Sequence, residues 1–179
     1  EDETSMATYS VGGLILSNSG MITSNYWLSE VYDAQITNAH KNGDLYIHNI
    51  NMLTGCSAGW SLENLILKGL PSVNKMISSL PAKHLSTLCN QMVNFLGIMQ
   101  NEWASAQSFA HFDTLLVPFI HQDKLSVKMV SDCLESFIYG INIPSRWGTQ
   151  APFSQITLDW NVPQEFINKK AIVAGCECD

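Results

Sequence analysis

Three short runs of this chain carry residue types able to do chemistry. In Cys56-Ser57-Ala58-Gly59-Trp60 a thiol follows a strand-like run and precedes a helix. α/β enzymes hold reacting groups at the C-terminal ends of strands, so Cys56 is a candidate there; an inert packing cysteine is the plainer reading. In Ser145-Arg146-Trp147-Gly148-Thr149-Gln150, hydroxyls, backbone N–H groups and one guanidinium could hold a phosphorylated ligand. Gly148 would admit close backbone approach, although spacing alone favours an ordinary surface loop. Cys176-x-Cys178, taken with Cys56, His40 or His48, has the ligand types of zinc. It lacks the second ligand pair of a structural site, so no metal is expected. No Walker loop, GxGxxG, HExxH, GxSxG or paired CxxC is present.

The elements that must position these residues follow from apolar periodicity. Tyr9 to Leu16 reads as a strand and Asn18-Ser19-Gly20 as a turn. Leu28, Tyr32, Ile36 and Ala39 predict a helix over 26–41, with Asn42-Gly43 as its stop, and Leu45 to Ile50 reads as a short strand. A helix is expected over 61–68, ended by Gly69. Another follows Pro81 to about Asn101, with Leu85, Leu88, Cys89, Met92, Phe95, Leu96 and Met99 at helical spacing. No Asp, Glu, Lys or Arg lies between Lys83 and Glu102, so that helix should have no solvated face. Ala104 to Phe112 suits a buried strand, and 126–139 suits a helix facing the core through Val130, Cys133, Leu134, Phe137 and Ile138, closed by Gly140. A strand over 153–160 would put Ile156, Leu158 and Trp160 on one side. Strands alternating with helices imply βαβ units and an α/β sheet or barrel.

Composition narrows the partners. Charged residues are 14% of the 179, against about 25% in ordinary soluble domains. Much of the surface is therefore expected to face other protein, and residues 1–179 read as one segment of something larger, without natural termini. A net charge of −7 argues against nucleic acid, no apolar run is long enough for a membrane span, and the acidic start has no signal-peptide pattern. Five irregularly spaced cysteines suit a reducing cytoplasm.

Read together, seven strings in order change the weight of these runs: Ala39-His40 to Gly43-Asp44-Leu45-Tyr46-Ile47-His48, Ala58-Gly59-Trp60-Ser61-Leu62, Pro81-Ala82-Lys83-His84-Leu85, Asn94-Phe95-Leu96-Gly97, Gln100-Asn101-Glu102-Trp103, Phe112-Asp113-Thr114 and Pro144 to Gln150. This pattern resembles the first half of the catalytic barrel of anaerobic, glycyl-radical ribonucleoside-triphosphate reductases, over about 9–173. The resemblance implies part of a ten-stranded α/β barrel. It implies chemistry in which a glycyl radical, installed by a separate S-adenosylmethionine activase, generates a cysteine thiyl that abstracts the ribose 3′ hydrogen while the 2′ hydroxyl leaves as water. It also implies a homodimer, a nucleotide substrate, ATP and deoxynucleotide effectors, and zinc bound elsewhere in the subunit, with no cofactor held by this segment alone.

Carried onto this sequence, the resemblance makes Ser145, Arg146, Trp147, Gly148, Thr149 and Gln150 the loop relaying effector identity to the substrate base. His48 and Asn101 become candidates to line the cavity. The family's substrate-facing cysteine, usually in Tyr-Cys before Ala-Gly-Trp, falls on Cys56-Ser57. Alternation along a strand would aim Cys56 at the opposite face unless the backbone shifts by one residue. Asn49 stands where the family commonly has aspartate, and Ser105, Ala110-His111 and Leu115-Leu116 also depart from the pattern. The alternative to a reductase segment is a non-catalytic nucleotide-binding or reductase-partner protein of the same fold.

Overall fold

The computed structural model describes residues 10–52, 54–70, 78–145 and 150–178. Its centre is a three-stranded parallel sheet of β1 (Cys56–Trp60), β2 (Ala104–Phe109) and β3 (Ser154–Ile156), in that order. Parallel neighbours need crossovers, and here they are helical. β1 leads through α3 (Leu62–Lys68) and α4 (Leu85–Glu102) to β2, and β2 leads through α5 (Phe112–Gln122) and α6 (Val127–Ile141) to β3. This is the expected βαβ arrangement.

The central helix α4 joins the layers. Leu85, Leu88, Cys89, Met92 and Leu96 are buried, and Phe95 packs edge-on against Trp60 and at 5.7 Å from Phe109. Within this chain α4 leaves an uncharged side of Ser86, Asn90, Asn94 and Ile98 exposed. Two of its amides, Gln91 and Gln100, lie on the buried side instead. α6 lies along α4, and its Gly140 is part of the helix rather than its stop. A Cβ there would come within 2.7 Å of Val93 Cγ2, so the missing side chain lets the helices approach. Phe137 is buried as expected, whereas Ile138 is exposed.

The N-terminal region departs most from expectation. Residues read as a strand and a turn form α1 (Val11–Tyr26), capped by Ser10, whose hydroxyl accepts from Gly13 N at 2.9 Å. Gly20 lies inside this helix and faces Asn51, where a Cβ would meet the Asn51 Cβ at 3.1 Å. The expected single helix over 26–41 is divided. A π-helical turn, Trp27–Val31, ends at extended Tyr32, and α2 (Ala34–Asn42) starts afresh under an Asp33 cap. Gly43, at φ 82°, ends α2 as expected. Residues 45–50 form a bend leading into a turn at 48–50, not a strand, and bond locally: His40 Nδ1 lies 3.2 Å from the Leu45 carbonyl.

Three further differences concern the C-terminal half. α5 has no counterpart in the sequence reading. β3 is three residues long, and Leu158 and Trp160, expected on a strand face, are exposed in the loop after it. A short helix α7 (Gln164–Ile167) leads to an antiparallel hairpin of β4 (Ala171–Val173) and β5 (Cys176–Cys178). The hairpin packs on α3 and α5, and Lys169 Nζ pairs with Glu63 at 2.6 Å.

A polar network ties the β3 exit to α5. His111 Nδ1 lies 2.9 Å from Asp159 Oδ1, the Thr114 hydroxyl donates to Asp159 Oδ2 at 2.6 Å, and Asp159 N–H donates to Asp113 Oδ1. The Thr114 bond does most to hold the Asp159 carboxyl below its usual value, against desolvation and with help from His111. A carboxyl lowered by folding stabilises above its unfolded value, here 3.8, and that contribution disappears as pH falls through the folded value. Asp159→Asn is therefore expected to lower the thermal midpoint at pH 7, with the gap from wild type closing below about pH 4. Parallel melting curves across that range would refute this if the gap stayed constant.

Candidate functional site

Cys56 opens β1 rather than ending a strand, so the thiol stands at the N-terminal end of the sheet. Pairing with β2 is irregular there: Cys56 pairs with Ala104, but Ala58 pairs with Gln107, so β2 carries one residue more. Ser57 and Ser105 take positive φ, 58° and 60°, on either side of this slip. Consecutive residues of a regular strand point to opposite faces. Here Cys56 Sγ and Ser57 Oγ lie 3.9 Å apart, both exposed. The altered cysteine position and the thiol beside it therefore share one side of the strand.

Two other departures meet them. Asn49, at φ 51°, donates from Nδ2 to Ser105 Oγ at 3.0 Å and to Cys56 Sγ at 3.6 Å. Asn49, Cys56, Ser57 and Ser105 thus form one polar cluster, although 56 positions separate its ends. Hydrogen bonds from Ser105 first, then from Ser57 and Asn49, hold the Cys56 thiol below its ordinary value, outweighing the small cost of desolvation. Cys89 is the contrast, since burial pushes it up to about 12. A thiol that ionises readily and is open to solvent is the one equipped to react.

The end of α4 supports this cluster from behind. The Thr54 hydroxyl donates to the Glu102 carbonyl at 2.5 Å, and Ala104 N–H donates to the Gly55 carbonyl at 3.0 Å. Gly55 is in close contact with Trp103: a Cβ there would come within 2.5 Å of the indole ring. Beneath, Trp60 Nε1 donates to the buried Gln107 Oε1. A layer of indoles and amides therefore fixes where the strand carrying Cys56 begins.

Of the loop Ser145–Gln150, Arg146, Trp147, Gly148 and Thr149 lie outside the described residues. Its ends are described: Ser145 N–H donates to the Gln150 carbonyl at 2.9 Å. Ser145 borders an open, uncharged hollow with Asn94, Gly97, Asn101 and Gly140, which puts Asn101 beside the loop. The Asn101 amide donates to the Gly97 carbonyl at 3.0 Å. His48 is exposed, stacked edge-on against Tyr46 and next in sequence to Asn49. Cys176 and Cys178 belong to β5, and among the described residues no three His, Cys, Asp or Glu side chains are grouped to hold a metal.

A family model of anaerobic ribonucleoside-triphosphate reductase matches residues 3–175. The chain belongs to that family. No curated protein matches it by sequence. Among solved structures it is similar to the anaerobic ribonucleotide reductase of Thermotoga maritima in complex with dATP and CTP, at 22% identity and a TM-score of 0.68, over 86% of this chain and 28% of that one. It is also similar to the same enzyme with dATP bound in the specificity site, at 22% identity and a TM-score of 0.61, over 86% and 28% of the two chains. At this identity the likeness establishes the reductase fold, and this chain spans less than a third of those structures.

The reductase pattern alone leaves the joint role of Asn49 and Ser105 unseen, because each reads as an isolated departure. The signal that would have joined them is turn chemistry. Asn tolerates positive φ, and Asn and Ser side chains both bond locally, and the cluster uses both properties.

Proposed function

We propose that this chain provides the substrate-facing thiol, cavity walls and base-discriminating loop of a reductase subunit that converts ribonucleotides to deoxyribonucleotides. The observation that carries this reading is the cluster of Asn49, Cys56, Ser57 and Ser105, in which the Cys56 thiol lies on the same side of the strand as Ser57; in this reading it stands in for the cysteine that the family has at position 57. Family membership supports the reaction class, and the nucleotides named for the Thermotoga maritima enzyme support nucleotide ligands here.

In this reading the glycyl radical, carried elsewhere in the subunit and installed by a radical S-adenosylmethionine activase, supplies the unpaired electron. The residues of this chain bind, orient and exchange protons. Cys56 faces the ribose, and the Ser105 and Asn49 donors stabilise the thiolate left when its thiol gives a proton to the 2′ hydroxyl, which departs as water; an external two-electron reductant then completes the deoxynucleotide, and the sulfur is re-protonated from solvent. Asn101 and His48 line the cavity, and Ser145 to Gln150 carry the response to a deoxynucleotide effector. The helix α1 exposes Val11, Leu14, Met21 and Ile22 and has no charged residue over its length, as a dimer face requires. None of the described helices is long and apolar enough to cross a membrane, and a cytoplasmic setting keeps the five cysteines reduced.

The test is anaerobic turnover by the full-length subunit with its reduced activase, S-adenosylmethionine, the four ribonucleoside triphosphates and a two-electron reductant, formate in one arm and a dithiol in the other. Deoxynucleotide formation is the expected result. An activated subunit that binds deoxynucleotides but makes no product would replace this reading with the non-catalytic one.

A further inference from the structure

Met92, Leu96 and Gln100 follow one another at four-residue intervals on the buried side of α4, and Gln100 is only 1% exposed. An amide in an apolar stripe must find partners or forfeit its hydration without compensation. A carboxamide nitrogen has two N–H donors. Gln100 Nε2 donates to Ser145 Oγ and, at 3.4 Å, to the carbonyl of Gln150. Both acceptors are ends of the same loop, and they are already joined by the Ser145 to Gln150 backbone bond. One turn earlier, Gly97 leaves room for this contact: a Cβ there would stand 3.3 Å from Ser145 Oγ.

We propose that Gln100 is a positioning residue that holds the neck of the Ser145–Gln150 loop and so sets how strictly the enzyme discriminates among nucleotide bases. The proposal rests on the functional reading of that loop given above. Its physical content is separate: one buried side chain fixes two loop ends to the helix whose last turn also supports the strand of Cys56. Glu102 and Ala104, within four residues of Gln100, bond to Thr54 and Gly55. A shift of the neck relative to α4 is therefore a shift relative to the thiol.

Gln100→Met in the full-length subunit keeps length and burial but removes both donors. Amide hydrogen exchange at Ser145 is expected to quicken about tenfold, with exchange across 88–96 unchanged. With dATP as effector, the ratio of kcat/KM between preferred and non-preferred ribonucleoside triphosphates is expected to fall at least fivefold, more than kcat itself falls. Ser145→Ala, at an exposed position that does not endanger folding, should move both readouts in the same direction. Unchanged exchange at Ser145 in both variants overturns the clamp, and faster exchange with an unchanged substrate ratio overturns its role in discrimination. If the wild-type subunit makes no deoxynucleotide, it is the functional reading that fails, and exchange at Ser145 still decides whether Gln100 holds the neck.

Discussion

Cys56→Ser in the full-length reductase subunit is expected to lower deoxynucleotide formation by about a thousandfold or more, on the order of 4 kcal/mol of barrier. Serine preserves size and can accept the same hydrogen bonds from Ser105, Ser57 and Asn49, so the cluster should keep its shape. What disappears is a thiol whose ionisation the cluster's hydrogen bonds favour and whose sulfur can give up an electron. A hydroxyl already stands 3.9 Å away at Ser57, so if a hydroxyl were sufficient the substitution would be silent. Comparing kcat/KM of the two proteins under anaerobic turnover, with effector binding as a control, distinguishes these outcomes. Activity within tenfold of wild type would remove Cys56 from the chemistry and leave the cluster a structural device.

The second large effect is on stability. Gly69 ends α3 at φ 66° and ψ −152°, a region that side-chain-bearing residues essentially do not occupy. A Cβ at this position would also stand 2.3 Å from the Ser79 carbonyl oxygen and 2.7 Å from the Leu80 carbonyl carbon. These are backbone atoms held by the paired bonds between Leu70 and Ser79, so relief requires breaking that bridge. Strain and displacement together should cost roughly 3 kcal/mol or more for Gly69→Ala. A thermal midpoint several degrees below wild type is the expected readout, and a midpoint within one degree would mean that the segment yields easily.

The parts legible in the sequence are those where one physical signal dominates. α4 and α6 show apolar spacing, α3 is bracketed by Ser61 and Gly69, and β2 is a run of small and apolar residues, so each was readable. α1 misled because Gly12, Gly13 and Gly20 look like breakers. Gly13 and Gly20 are buried, so these residues serve close packing, and tertiary contact overrides local propensity. α5 was missed because Pro118 sits in its interior, where proline normally ends a helix. The site was half legible. Cys56 and Ser57 were visible as a displaced pair, but the register slip that turns them to one side depends on pairing with β2, which no local pattern encodes. The buried Gln100 was within reach, since a lone amide continuing the Met92 and Leu96 stripe asks for partners.

The unequal ionisation of the cysteines has a consequence for exposure to oxygen. Oxidants consume thiolates at the surface faster than thiols held protonated within a core. Cys89, on α4, is shielded by the packing that raises it to about 12, whereas Cys56 is both open and readily ionised. Oxidants are therefore expected to reach the sulfur at the mouth of the sheet before the one inside the scaffold, so on the proposed reading activity would be lost while the fold persists.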